Sequence, residues 1–151
     1  MTGKRAAFHY FLAALTGFLA SLFTLRMGEE FAVLKRPLLF PPVWMIPVGW
    51  ALTLLLAVSA ARRIDCKSGD GRKVMTSFYV SLVLTLAWPA IFFRLDAKAA
   101  GLVVLLLLTG VWLHAMKLIR PVSRRARKML IACCIWSGYL SYINLGICVL
   151  N

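Results

Sequence analysis

The chain has 151 residues, of which 62% are hydrophobic and 15% are charged, and its formal net charge at pH 7 is +13. This composition is too apolar for an ordinary soluble domain. The basic excess does not indicate a nucleic-acid-binding protein either. The basic residues lie in short segments between apolar runs, and no amphipathic basic helix or aromatic–basic sheet pattern accompanies them.

Apolar runs dominate the chain, and several approach the roughly 20 residues that a helix needs to cross a bilayer. Five such runs cover residues 6–25, 41–61, 74–93, 99–116 and 129–150. The segments between them are short, and no internal repeat is visible. We therefore predict an all-α integral membrane protein, with a single bundle of five transmembrane helices that forms one domain over residues 1–151.

Basic residues are distributed unequally between the two ends of the predicted bundle. The N-terminus and the connections after the second and fourth runs carry 13 of the 18 Lys and Arg residues. The positive-inside rule therefore predicts a cytoplasmic N-terminus in a multi-pass protein of the cell (inner) membrane. Lys4 and Arg5 also fit the opening of a signal peptide, but the apolar run is long and no A-x-A-like site follows it, so we expect a retained first helix.

The first run carries Ala13, Gly17 and Ser21, one small residue every fourth position. This spacing allows close approach of another helix, either within one chain or across a dimer contact. Residues 26–40 form the longest non-apolar connection at their end of the bundle. Such a loop folds over the bundle as a lid or merely connects two helices, and the sequence favours neither.

The second run begins with prolines and tryptophans. Pro47 lies about a turn inside it, which predicts irregular or kinked first turns. The tryptophans fit either a helix start with interfacial aromatic residues or the mouth of an aromatic-lined pocket. Trp44 and Trp50 are six positions apart, about 240° around an ideal helix. At most one of them is expected to point into a common pocket.

The third run carries Ser77, Ser81 and Thr85 at four-residue spacing, followed by Trp88-Pro89. Hydroxyls in membrane helices often bond the carbonyl one turn earlier. Alternatively, this stripe presents mild polarity to a ligand. We expect Pro89 to kink the third helix near its end. Gly69-Asp70-Gly71 is expected to form a turn before this helix.

Polar and aromatic residues also mark the last two runs. His114 follows Trp112 in the fourth run and is either an intramembrane functional group or a residue that reaches the interface. In the fifth run, Trp136 and Tyr139 share a helix face. Asn144 is expected to form a hydrogen bond to another helix or to the backbone.

Neither catalysis nor metal binding is indicated. Cys133 and Cys134 are adjacent, whereas Cys66 and Cys148 are far apart in sequence, so no pair has metal-ligand spacing and no disulfide framework is suggested. The sequence contains no Ser/His/Asp set and no phosphate-binding loop. We therefore predict no catalytic residue, no metal and no required cofactor.

Three segments together resemble the tryptophan-rich sensory protein or translocator protein family, also called TspO/MBR or peripheral benzodiazepine receptor homologues. The family's second-helix pattern is roughly P-x-W-x-P-P-x-W-x-F-x-x-x-W, and residues 37–50 read P-L-L-F-P-P-V-W-M-I-P-V-G-W. The third-helix pattern Q-x-x-x-N-x-x-W-[ST]-P-x-F-F corresponds to residues 81–93. The fifth-helix pattern P-Y-x-x-W-x-x-[FY]-x-x-x-x-N corresponds to residues 132–144. The third-helix and fifth-helix positions that match are Trp88, Pro89, Phe92, Phe93, Trp136, Tyr139 and Asn144.

The chain departs from these patterns at several positions. Leu39 replaces a tryptophan, Ile46 replaces an aromatic residue, and Ser81 and Thr85 stand where the family has amides. Alanine and cysteine occupy the Pro-Tyr positions at residues 132–133. These changes remove amide groups and aromatic area from the pocket that the family uses.

The resemblance implies a membrane receptor that binds porphyrins, such as protoporphyrin IX, and other hydrophobic ligands, with a role in tetrapyrrole stress regulation. It also implies a homodimer in contact with membrane lipid. By motif match we assign ligand contacts to Trp44, Trp50, Thr85, Trp88, Trp136 and Tyr139, and a structural role to Asn144. Trp112 is added for its depth in the fourth run.

Three other classes are compatible with the sequence: a light-dependent porphyrin-degrading enzyme, a small-molecule transporter and a membrane scaffold. A specific cholesterol site on the fifth helix is not expected. Leu140 and Tyr142 supply two elements of a proposed sterol motif, but no Lys or Arg follows them.

Overall fold

The computed structural model describes residues 3–63 and 69–151. This part of the chain contains six α-helices and one π-helical segment, and it contains no strand. The elements are α1 (Gly3–Phe23), α2 (Met27–Val33), α3 (Met45–Ala61), α4 (Gly69–Pro89), the π-helical segment (Ala90–Arg94), α5 (Lys98–Ile119) and α6 (Arg124–Leu150). The prediction of an all-α protein is confirmed.

Four helical stretches are long and apolar enough to cross a membrane: Ala6–Phe23, Asp70–Arg94, Lys98–Ile119 and Arg124–Leu150. The remaining apolar helix, Met45–Ala61, has 17 residues and is shorter. The protein is thus a multi-pass membrane protein.

The long helices form a closed ring in which sequence neighbours are not always spatial neighbours. α1 packs on α3 and α4, α4 packs on α5, α5 on α6, and α6 returns to α3. α3 also contacts α4 across the ring. A gap between α1, α3 and α4 is therefore bounded by α1 and by two helices that follow each other in the chain.

Helix α2 was not expected and raises the number of helices to six. Its seven residues would be marginal as an isolated helix. Phe31, only 1% exposed, docks it onto the bundle, with its ring centroid 5.0 Å from Phe40, 5.8 Å from Phe92 and 5.5 Å from Phe93. Tertiary contact, rather than helix propensity, accounts for this element.

Two predicted helix starts are wrong. α3 begins at Met45, after the paired prolines, so Pro47 lies in its first turn, where the missing N–H has no intrahelical partner anyway. Gly69-Asp70-Gly71 is not a turn but the start of α4. A carboxylate in the first turn favours the helix, and Asp70 also lies 3.6 Å from the Lys73 ammonium.

The first connection, which joins α1 to α3, is fixed to the C-terminal half of α6 by hydrogen bonds. The Tyr139 hydroxyl donates to the Leu39 carbonyl at 2.8 Å, and the Tyr142 hydroxyl donates to the Leu38 carbonyl at 2.7 Å. The Asn151 side chain accepts from the Lys35 amide at 2.9 Å and donates to the Lys35 carbonyl at 3.1 Å. The connection is therefore more than a passive linker, because it packs against the bundle over several residues.

Candidate ligand-binding cavity

A cavity of about 500 Å³ lies between α1, α3 and α4. Helix α3 contributes Trp50 and Leu54 to its wall, and α4 contributes Thr85 and Trp88. Its volume falls within the range of roughly 300–1,000 Å³ that is typical of small-molecule sites. The three helices thus enclose enough space for a sizeable hydrophobic ligand.

Trp50 and Trp88 form an aromatic wall of this cavity. Their ring centroids are 5.8 Å apart with an interplanar angle of 41°. Behind them, Trp88 contacts Phe92 and Phe93, with centroid distances of 5.5 and 5.9 Å. The wall is therefore supported on its outer side by further rings, which limits the freedom of Trp88 to move.

The Trp88 indole is also held by a hydrogen bond from α6. Asn144 is only 1% exposed. With its amide oriented so that both polar atoms find partners, its oxygen accepts from Trp88 Nε1 at 3.1 Å and its nitrogen donates to the Lys98 carbonyl at 2.9 Å. Asn144 thus connects α6 to α4 and to the start of α5, and it orients one ring of the wall.

The hydroxyl stripe on α4 divides into bonded and unbonded members. Ser77 donates to the Lys73 carbonyl at 3.0 Å, and Ser81 donates to the Phe78 carbonyl at 2.6 Å. Thr85 is 2% exposed, and its Oγ1 atom has no hydrogen-bond partner. Because buried hydroxyls are usually paired, Thr85 stands out as the polar group of the wall that a ligand could satisfy.

Helix α1 forms the side of the cavity that sequence reasoning missed. Ala13, Gly17 and Ser21 line it. Their four-residue spacing was visible in the sequence, but it was interpreted only as a surface for helix contact. A Cβ atom placed at Gly17 would lie 3.5 Å from Leu54 Cδ1, an ordinary contact, so α1 and α3 do not approach so closely here that only glycine fits.

One end of the cavity is closed by polar contacts between α1 and α3. The Tyr10 hydroxyl lies 3.3 Å from Ser59 Oγ and accepts a hydrogen bond from the Arg62 guanidinium at 3.2 Å. The N-terminal end of α1 and the C-terminal end of α3 therefore lie at the same end of the bundle.

The cavity opens sideways, between α1 and α3. Ala14 and Ala51 on its rim are exposed, and Leu55 is 51% exposed. Ser21, near the end of α1, and Pro47, near the start of α3, also line the cavity and are exposed, so its open side extends along both helices.

Four of the residues assigned to ligand contact lie outside this cavity. Trp44 is 66% exposed because it precedes α3 as its N-cap. Trp112 is 1% exposed and belongs to the apolar core, where its Nε1 has no partner. Tyr139 binds the first connection through its hydroxyl, and Trp136 packs between α6 and α3.

Trp136 lies against the backbone of α3 at Gly49. A Cβ atom placed at Gly49 would be 2.0 Å from Trp136 Cζ2. Only glycine permits this approach, so the indole fills the α3–α6 contact and is directed away from the cavity.

The remaining polar candidates also have clear positions. His114 is exposed in a groove between α4 and α5 and does not belong to the buried core. Within residues 3–63 and 69–151, no group of three His, Cys, Asp or Glu side chains could hold a metal ion. Cys133, Cys134 and Cys148 are free thiols. Cys66 lies outside the described residues.

Comparison with known proteins identifies the family of the chain. The model of the TspO/MBR family matches residues 9–150. "Protein CrtK" of Rhodobacter capsulatus is 31% identical over 149 residues, which cover 94% of this chain and 90% of the relative. "Tryptophan-rich protein TspO" of Chlorobaculum tepidum is 28% identical over 144 residues, covering 93% and 91%. The "Translocator protein homolog" of Schizosaccharomyces pombe is 30% identical over 123 residues, covering 78% and 74%. With a match that spans nearly the whole chain, this protein belongs to the TspO/MBR family.

Proposed function

We propose that this protein is a membrane receptor that binds porphyrins, such as protoporphyrin IX, in the cavity between α1, α3 and α4. The observation that carries the proposal is the Trp50–Trp88 pair on the wall of a cavity of about 500 Å³. A flat aromatic macrocycle gains both apolar burial and ring contact from such a wall. The resemblance to family members supports the same ligand class.

Thr85 supports the proposal as a polar contact. Its hydroxyl is buried without a partner, and rotation about χ1 exchanges the positions of its hydroxyl and methyl groups. Threonine in helices populates two such rotamers. A ligand with a polar edge, such as a pyrrole nitrogen, would give this hydroxyl a partner.

We further propose that five helices cross the membrane, with the N-terminus in the cytoplasm. The 17 residues of α3 span about 26 Å at about 1.5 Å per residue, slightly less than the roughly 30 Å of the hydrocarbon core. Residues 41–44 extend the apolar segment before the helix. The basic asymmetry supports the orientation, and labelling of cysteines from each side of intact cells would test it.

A homodimer is also proposed, as the family resemblance implies. The Ser77, Ser81 and Thr85 ridge does not supply its interface, because all three residues are buried within one chain. Crosslinking in native-like lipid would test association, and a monomer at high protein density in lipid would contradict it.

Porphyrin titration of the purified protein tests the proposed function. Replacing Trp50 by Leu removes one ring of the wall, and stacking is worth about 0.5–1.5 kcal/mol, or roughly a 2- to 10-fold change in Kd. Trp44→Leu is the matched control, because Trp44 is 66% exposed and outside the cavity. Equal affinities of Trp50→Leu and the unaltered protein, with folding intact, would place the porphyrin elsewhere.

Illumination of the complex separates a binding protein from a light-dependent porphyrin-degrading enzyme. A receptor leaves the porphyrin absorbance unchanged after light exposure, apart from the bleaching seen with free porphyrin. Accelerated loss that depends on Trp50 or Trp88 would favour the enzyme.

A further inference from the structure

Another concave site lies where α5 connects to α6, at the opposite end of the bundle from the hydrogen bonds between Asn151 and Lys35. It is a cleft of about 490 Å³ lined by four basic side chains and one apolar one: Arg120, Arg124, Arg127, Lys128 and Ile131. None of these residues belongs to the porphyrin cavity.

Among the residues that the structure describes, no Asp or Glu forms an ion pair with the basic side chains of this cleft. No Asp or Glu follows Asp96 in the chain. Among the described residues, the ion pairs join Arg26 to Glu29, Lys73 to Asp70 and Lys98 to Asp96, and none of them involves the cleft. Arg127 is only partly exposed, and its Nε atom is buried without a hydrogen-bond partner.

The position of these positive charges is unfavourable unless an anion binds near them. Arg124, Arg127 and Lys128 lie in the first five residues of α6. Backbone N–H groups at a helix start carry partial positive charge and disfavour cations there. The positive-inside rule explains why basic residues lie at this end of the protein. It does not explain why four of them converge on one cleft.

Two other basic residues at the same end have partners. Arg62 donates to the Tyr10 hydroxyl, and Lys73 is paired with Asp70. Asn151, at the C-terminal end of α6, is hydrogen-bonded to Lys35, which precedes α3. The start of α6 therefore lies at the opposite end of the bundle, where α3 ends and Arg62 follows. The cleft residues differ from the other basic residues at this end because four of them converge on one concave surface.

Apolar surface continues directly from the cleft. Ile131 is 37% exposed and Ile135 is 67% exposed, and their four-residue spacing puts them on one face of α6. An occupant with both an anionic group and a hydrocarbon chain would match the two parts of this surface. A free inorganic anion would use only the first part.

We propose that the cleft binds the headgroup of an anionic phospholipid, with one acyl chain along Ile131 and Ile135. Arginine suits this role because its guanidinium donates two parallel hydrogen bonds to phosphate oxygens. Basic pockets at the ends of membrane helices are a recurring form of lipid recognition. This inference does not depend on the proposed porphyrin function.

Native mass spectrometry of the full chain in uncharged detergent, titrated with phosphatidylglycerol, tests the proposal. The test variant is Arg124→Gln/Arg127→Gln. The control, Arg63→Gln/Arg125→Gln, removes the same charge from the same end, but neither residue lines the cleft. Because hydrogen bonds between charged groups are the strong ones, we expect the test variant to lose about tenfold in lipid affinity and the control to lose less than about twofold.

Three outcomes would overturn the proposal. Equal losses in both variants would mean diffuse attraction of anionic lipid to the basic end. Equal binding of phosphatidylcholine and phosphatidylglycerol would remove the role of net lipid charge. Displacement of the lipid by an equal concentration of inorganic phosphate would identify a site for a soluble anion. Where Arg127→Gln prevents folding, Arg120→Gln/Arg124→Gln replaces it, since both side chains are exposed.

Discussion

Replacing Gly49 by Ala should disrupt the α3–α6 contact more than its single added methyl group suggests. The new Cβ atom would lie 2.0 Å from Trp136 Cζ2 and 2.3 Å from Cε2. Carbon atoms in contact normally lie about 3.5–4.0 Å apart. Either the indole or the two helices must therefore move by roughly 1.5 Å.

The size of the effect can be estimated against a glycine that has free space. No atom lies within 4 Å of a Cβ atom placed at Gly138, which is also helical. Gly→Ala in a helix gains about 0.5–1 kcal/mol from backbone entropy at either site, so this gain cancels in the comparison. Overpacking costs about 1–3 kcal/mol. We expect Gly49→Ala to be less stable than Gly138→Ala by about that amount.

Thermal unfolding of the purified protein, followed by tryptophan fluorescence, measures this difference. The double variant Gly49→Ala/Trp136→Leu supplies a mutant cycle, because the smaller side chain removes the clash. We expect the two substitutions to compensate partly. Equal stabilities of Gly49→Ala and Gly138→Ala, or strict additivity in the cycle, would show that Trp136 does not pack on Gly49 as described.

Two further predictions concern hydroxyl groups. Thr85→Val should raise the stability of the empty protein by about 1 kcal/mol, because it removes a buried hydroxyl without a partner while keeping the branched shape. It should also weaken the binding of a porphyrin that uses this hydroxyl. Thermal unfolding measures the first effect, and porphyrin titration measures the second. Tyr142→Phe removes the hydrogen bond to the Leu38 carbonyl, worth about 0.5–1.5 kcal/mol. It should speed amide hydrogen exchange in residues 34–41 more than in the buried parts of the helices.

Each of these two predictions has a clear opposing result. Thr53→Val is the control for Thr85, because the buried Thr53 hydroxyl donates to the Gly49 carbonyl at 2.8 Å and its removal should not stabilise the protein. Similar stability changes at both positions would contradict the distinction between bonded and unbonded hydroxyls. Unchanged hydrogen exchange in Tyr142→Phe would show that this hydroxyl does not hold the first connection.

The apolar runs predicted the long helices because membrane spans require many consecutive apolar residues. Helix α2 escaped prediction for the opposite reason. It is short and forms where Phe31 meets Phe40 and, from a distant part of the chain, Phe92 and Phe93. The end of α4 shows a similar limit: Pro89 indicated an irregularity, but only the structure places a π-helical segment directly after it.

The candidate site was partly predictable from its motifs. Trp50, Thr85 and Trp88 were assigned together, and the structure places all three on one cavity. Periodicity also grouped Trp136 with Tyr139 on one face of α6, but it could not say which neighbour that face meets. The glycine opposite Trp136 becomes informative only when the pairing of α3 with α6 is known.

The sideways opening between α1 and α3 determines how binding should be measured. A ligand that enters between these two helices comes from the surrounding lipid, where the porphyrin proposed above is far more concentrated than in water. The apparent Kd, expressed against total ligand, then contains a partition coefficient as well as the affinity of the cavity. It should rise in proportion to the amount of lipid or detergent present, while the Kd expressed as a mole fraction within the membrane stays constant.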